Sequence, residues 1–141
     1  MTRILVVANQ TLGGPELMSV LRERTAQEHC ALHVLVPANV DTQSWVLDDD
    51  SDRELAGDRL REALTRFAEL GADVTGEVGD PRPVDAILDV LRRDEFDEII
   101  LSTLPPGVSR WLRLDLVHRL ERTVTIPVAH VVTHHAGVEA G

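Results

Sequence analysis

A chain of 141 residues with 43% hydrophobic content fits a single domain, because a chain this long buries roughly 70% of its unfolded surface. A formal net charge of −10 argues against nucleic-acid partners, whose binding through counterion release needs clustered cations. All 14 basic residues are Arg and Tyr is absent, which excludes a Walker lysine, a Schiff-base lysine and phenolic acid–base chemistry.

Arg3-Ile-Leu-Val-Val-Ala8 is apolar on both faces, as a strand of a parallel sheet must be. It stops at Asn9. Gly13-Gly14-Pro15-Glu16 reads as a loop opening a helix, with Leu17, Val20 and Leu21 on one face. Ala31 to Val36 is a second strand ended by Pro37. Residues 41–52 are acidic and irregular, with Asp48-Asp49-Asp50 in a row, and read as a mobile surface loop. A triple Asp without the Gly turn and distal Glu of a calcium loop is solvated charge, so no metal is expected there. Arg53 to Leu70 carries Leu60, Leu64, Phe67 and Ala68 at helical spacing, and Gly71 is its stop.

Asp73 to Val78 is the third strand. Asp80 is the expected N-cap and Pro81 the first position of a helix burying Val84, Ile87, Leu88 and Leu91. Phe96 to Leu101 is the fourth strand, followed by a long loop, Ser102 to Leu114. Asp115 to Arg122 is the last helix, with a start as early as Ser109 also compatible. Ile126 to Val132 is the fifth strand, and residues 134–141 read as a flexible tail after a domain of residues 1–133.

Alternating strands and helices imply right-handed crossovers and an α/β fold with an open, mainly parallel, Rossmann-like sheet covered on both faces. Ligands in such sheets sit at the carboxyl ends of the strands, beside the switch in strand order. The candidate rim is Ala8, Asn9, Gln10 and Thr11, then Val36 and Pro37, then Gly79, then Ser102 and Thr103. No apolar run approaches the ~20 residues of a membrane span. No leader segment is visible, and the lone Cys30 offers neither a disulfide framework nor a cysteine metal site. A cytoplasmic address and no membrane partner are expected.

Three stretches resemble the universal stress protein family: Val78-Gly-Asp-Pro-Arg-Pro-Val-Asp-Ala-Ile-Leu88, Phe96-Asp-Glu-Ile-Ile-Leu-Ser-Thr103 and Ile126-Pro-Val128. The family pattern there is a G-D-P-x-x-x-I helix start, a D-x-I-V-M-G-[ST] strand and a final P-V strand. The resemblance implies a five-stranded sheet of the adenine nucleotide alpha hydrolase-like kind, homodimers through the last strand (here Val128, His130 and Val132), and ATP or AMP binding in some members. Nucleotide-binding members carry G-x-x-G, nine residues, then G-[ST]. In this chain the final pair falls on Leu114-Asp115, the first glycine on Leu101 or Ser102, and the second on Leu104. Leu104 and Leu114 add side chains where backbone must approach phosphate, and Asp115 places a carboxylate at the helix start. Of the loop glycines only Gly107 remains, and Asn9 stands where the family has an acid.

Other ligand candidates in the loop are Ser109 and Arg110, with Arg113 beside them, since guanidinium groups bind anions. Catalysis is not expected. Ser102 and Thr103 lie outside any G-x-S-x-G elbow, His130 and His134 are ~13 Å apart along a strand at ~3.3 Å per residue, and His118 with Asp115 fits a surface pair. Trp45 and Trp111 are expected in loops, packing over the sheet edge or anchoring a partner. The resulting expectation is a non-enzymatic homodimeric regulator or adaptor in stress response, without a resident cofactor or metal. The alternative is an adenine-nucleotide (ATP or AMP) binder that uses Asn9, Val36, Ser102-Thr103 and an Arg.

Overall fold

Alternate residues of the first strand, β1 (Thr2–Val7), feed two different cores. The computed structural model describes residues 1–39, 41 and 49–134. The remaining elements are α1 (Pro15–Gln27), β2 (Cys30–Pro37), α2 (Asp49–Ala68), β3 (Asp73–Gly79), α3 (Pro83–Arg93), β4 (Glu98–Thr103), α4 (Arg110–Arg113), α5 (Leu116–Thr123) and β5 (Val128–Val132). All strand pairs are parallel and the sheet order is β3-β2-β1-β4-β5. The order reverses between β1 and β4, which places the switch point at the ends of those two central strands.

Ile4, Val6 and Ala8 point to the face covered by α1 and α2, where Leu17, Leu21, Ala63 and Phe67 complete one core. Leu5 and Val7 point to the other face, where Ile87, Val90, Leu116 and Leu120 of α3 and α5 complete the second. This two-sided burial is why the strands read as unbroken apolar runs. Among the described residues, no helix is long and apolar enough to cross a membrane.

Several boundaries differ from expectation, each for a local reason. The third helix starts at Pro83, two residues late, because the residue before a proline is driven out of the helical region; Arg82 is extended at φ −90°, ψ 111°. Asp80 instead accepts from the Arg82 backbone N–H at 2.8 Å, closing a turn ahead of the helix. The second helix begins at Asp49 and not at Arg53, so the last four residues of the stretch expected as an irregular acidic loop are helical, in keeping with the preference of helix N-termini for acidic residues. On that helix the buried positions are Ala56, Ala63 and Phe67, while Ala68 is exposed. Gly71 adopts φ +82° just past its end, as expected of its stop.

The long loop is shorter than expected, because Ser102 and Thr103 belong to β4 and residues 110–113 form α4. Trp111, expected in a loop, is 1% exposed and lies in the second core. His134, expected in the flexible tail, is tied to α1 through Glu16, which accepts from its backbone N–H at 3.1 Å. Trp45, Asp48 and residues 135–141 lie outside the described residues.

Gly76 of β3 faces α2. A Cβ there would come within 2.6 Å of Leu60 Cδ1 and 2.8 Å of the Val34 carbonyl oxygen. The backbone oxygen has no room to retreat, so Gly76→Ala is expected to destabilise the fold by about 1–3 kcal/mol. A lowered urea midpoint with unchanged slope is the measurement that checks it.

Candidate functional site

Buried polar side chains are confined to one end of the sheet. The eight buried polar or charged residues among those described are Asn9, Gln10, Thr11, Asp41, Ser102, Thr103, Ser109 and Thr133, all at or beyond the carboxyl ends of strands. A polar group leaves water only when a partner replaces it. The hydrogen bonds here form two knots.

The first knot is made of hydroxyl groups. Ser102 Oγ lies 2.8 Å from Thr11 Oγ1 and 2.9 Å from Thr133 Oγ1, linking β4 to the loop after β1 and to the end of β5. The second knot is the Asp41 carboxylate, which sits inside the loop after β4. It accepts from the backbone N–H of Trp111 at 2.7 Å, from that of Leu104 at 2.9 Å, and from Ser109 Oγ at 2.8 Å. Asp41 is also held through its own backbone: its N–H donates to Gln10 Oε1 at 2.8 Å, and its carbonyl accepts from Arg110 N–H at 3.2 Å. Burial pushes the Asp41 carboxyl above its ordinary range, against the opposing pull of the Trp111 and Leu104 N–H groups and the Ser109 hydroxyl.

Ser109 serves twice, donating to Asp41 and accepting from Leu112 N–H at 3.1 Å as the N-cap of α4. The chain leaves α4 through Asp115, the only non-glycine residue with positive φ (59°) among those described, a conformation that Asp tolerates better than most side chains. Its carboxylate accepts no backbone N–H of α5 and pairs with His118 at 2.8 Å, the surface contact anticipated from the spacing.

Asn9 is fixed by two donations, to the carbonyls of Pro37 at 2.7 Å and Asn39 at 3.3 Å. This leaves Asn9 Oδ1 to accept from Arg59 of α2 at 2.5 Å. Arg59 is half-buried, its pKa is lowered by burial, and it has no ion pair among the described residues. The rim therefore carries a guanidinium beside Asn9, where the family resemblance leads one to expect an acid.

Of the expected ligand residues, Ala8, Asn9, Gln10, Val36, Pro37, Ser102, Thr103 and Ser109 are buried together at the strand ends. Gly79 joins them as the partner of Pro37 in the β2–β3 ladder. Arg110 is half-buried at the start of α4, whereas Gly107, at φ +93°, is exposed on the turn. Asp41 and Arg59 were not among the expected residues. Val128, His130 and Val132 lie on β5, which among the described residues pairs only with β4.

A hydroxyl–imidazole pair is present in Thr103 Oγ1 and His130 Nε2, 2.8 Å apart. It is poorly set up for nucleophilic chemistry. The Leu104 carbonyl, also 2.8 Å from Thr103 Oγ1, competes with Nε2 for the single hydroxyl proton. Thr103 is also fully buried. Burial pushes the His130 pKa down, with the Asp41 charge opposing. Among the described residues no three His, Cys, Asp or Glu side chains are grouped to hold a metal.

On the α3 side of the same loop lies a cavity of ≈170 Å³ whose walls include Asn39, Arg110 and Trp111. Two of these carry buried polar atoms without a hydrogen-bond partner, Asn39 Oδ1 and Trp111 Nε1.

No family model matches the sequence, and no curated protein matches it. Solved structures do. A universal stress protein from Archaeoglobus fulgidus in complex with dAMP aligns with TM-score 0.63 and 16% identity over 93% of this chain and 98% of its own. A member of that family from Burkholderia pseudomallei gives TM-score 0.63 and 17% identity over 92% and 94%. A third, from Arabidopsis thaliana with AMP bound, gives TM-score 0.59 and 12% identity over 94% and 92%. Strand order, two-sided helical cover and these alignments agree: the chain has the fold of the universal stress proteins.

Proposed function

We propose that this chain is a universal-stress-protein-like, non-enzymatic regulator or adaptor in the stress response, acting in the cytoplasm as a homodimer and without ATP. The observation that carries this reading is Asp41. In nucleotide-binding relatives the loop after the fourth strand is expected to present its N–H groups to phosphate. Here the N–H groups of Leu104 and Trp111 and the Ser109 hydroxyl are already bonded to a carboxylate of the same chain. A phosphate would have to displace that carboxylate or lie beside it and be repelled.

Dimerisation is supported by the outer edge of β5. Among the described residues it has no neighbouring strand, and its burial pattern is intermediate apart from His130. An open edge of this kind is normally paired, covered or charged. Isothermal titration with ATP and AMP is expected to show no binding at micromolar concentration, and light scattering to give about twice the 15.6 kDa chain mass. A monomer mass at high concentration would remove the homodimer from the proposal.

The AMP-bound Arabidopsis structure favours a second reading, in which the rim takes an adenine nucleotide through Asn9, Val36, Ser102-Thr103 and an Arg after Asp41 leaves the loop. Micromolar affinity for AMP in the same titration selects it over the first.

A further inference from the structure

We propose that the cavity between the start of α3 and the α4–α5 corner binds a small organic carboxylate with an apolar body. Its lining includes Asn39, Pro83, Arg110, Trp111, Leu116 and Arg119. The space, ≈170 Å³, is smaller than a drug-sized pocket of roughly 300–1,000 Å³ and suits a ligand of about ten heavy atoms.

Three observations converge on it. The first is charge. Arg82 at the rim is neutralised by Asp80 at 3.1 Å and Asp85 at 3.0 Å. Arg110 and Arg119 have no ion pair or side-chain hydrogen bond among the described residues. In a chain of net charge −10, two unpaired guanidiniums at one cavity are a fork suited to an anion. The second is unmet hydrogen bonding. Trp111 is 1% exposed and its indole N–H has no partner, and neither has Asn39 Oδ1. Leaving a buried donor unpaired is costly, and both residues line this cavity. The third is the wall. Pro83 and Leu116 give the cavity an apolar side, so a bare inorganic anion would leave it unfilled. Asp85 also lies in the lining, and its negative charge favours a monoanionic carboxylate over a doubly charged phosphate ester.

The site adjoins the Asp41 knot, to which Arg110 and Trp111 contribute their backbone N–H groups. The Trp111 indole N–H, unlike its backbone N–H, has no partner. Occupancy can therefore be read at the indole without disturbing the carboxylate.

Benzoate serves as the probe, and the indole N–H proton resonance of Trp111, assigned with Trp111→Phe, as the readout. Titration is expected to move that resonance saturably with a dissociation constant on the order of 1 mM, a reasonable yield for so few atoms. The double variant Arg110→Gln, Arg119→Gln is expected to melt with the parent and to bind about tenfold or more weakly. A resonance that does not move, or a double variant that binds as the parent does, overturns the site. Phenyl phosphate binding more tightly than benzoate overturns the carboxylate assignment, and sulfate producing the same saturable shift overturns the need for an apolar body. Competition with AMP separates the two readings: benzoate that AMP leaves in place is held in this cavity, whereas benzoate displaced by AMP is held at the nucleotide rim, which overturns a separate site.

Discussion

Asp41→Ala is expected to destabilise the protein by about 2–6 kcal/mol, since two buried backbone donors at ~1–3 kcal/mol each lose their acceptor. Those donors are the N–H groups of Leu104 and Trp111, and Ser109 loses the group its hydroxyl donates to. Against a typical total stability of about 5–15 kcal/mol, the loss is large enough to shift a denaturant midpoint by inspection. Asp41→Asn is the milder test: one oxygen still accepts, but the amide N–H₂ confronts a backbone N–H. The pH dependence has an uncommon sign. Burial raises the folded-state pKa of Asp41 above its ordinary value of 3.8, so the folded chain holds this proton more tightly than the unfolded chain does. The contribution is fully present below 3.8 and is lost as pH rises through the folded value. The deficit of Asp41→Asn relative to the parent therefore narrows as pH rises. Glu77 and Asp80 act in the opposite sense. Burial works against Glu77, but Arg93 and His33 outweigh it and hold its pKa down, and Arg82 does the same for Asp80. Their contributions are present above the ordinary carboxyl range and are lost in acid. Denaturation curves of parent and Asp41→Asn between pH 4 and 7 check the sign. A widening deficit would contradict it.

The contrast between Asp41 and Asn9 shows what a single sequence conveys. Asn9, Ser102 and Thr103 are legible because each follows an unbroken apolar run, and in a parallel sheet the end of such a run is where ligands meet the chain. Asp41 has no local mark. It opens an acidic stretch of the chain and is 63 and 70 residues away from the two backbone groups it accepts from. Only the folded sheet brings those loops together. Arg59 is hidden in the same way: on an amphipathic helix it counts as one more solvated cation, and its contact with Asn9 spans 50 residues. Strands were legible because burial on both faces removes the polar alternation, while their ends were blurred wherever proline intervened. Pro127 ends the approach to β5, which begins at Val128. The Arg82-Pro83 step delays α3 by the same backbone restriction.

Trp111→Ala is expected to cost about 3–5 kcal/mol, the usual penalty for emptying a large aromatic site in a packed interior. The indole is 1% exposed and packs with Leu5, Val7, Leu35 and Leu116 on the α3–α5 face. Local sequence hid this because the residue follows Pro105-Pro106-Gly107. The signal that could have placed it is Ser109, whose hydroxyl caps the four-residue α4 by accepting from Leu112 N–H. Once α4 exists, its first turn directs Trp111 inward. Trp111→Phe separates packing from hydrogen bonding. Phenylalanine keeps most of the buried apolar surface and deletes the indole N–H, which has no partner. Removing an unsatisfied donor returns part of the packing loss, so Trp111→Phe is expected to fall well short of the alanine penalty. Urea denaturation of the two variants decides the matter: a Phe variant as unstable as the Ala variant would mean that the indole N–H is bonded in solution. The same result would remove one of the three supports for a ligand in the adjoining cavity, since that cavity's claim on Trp111 depends on its donor being free.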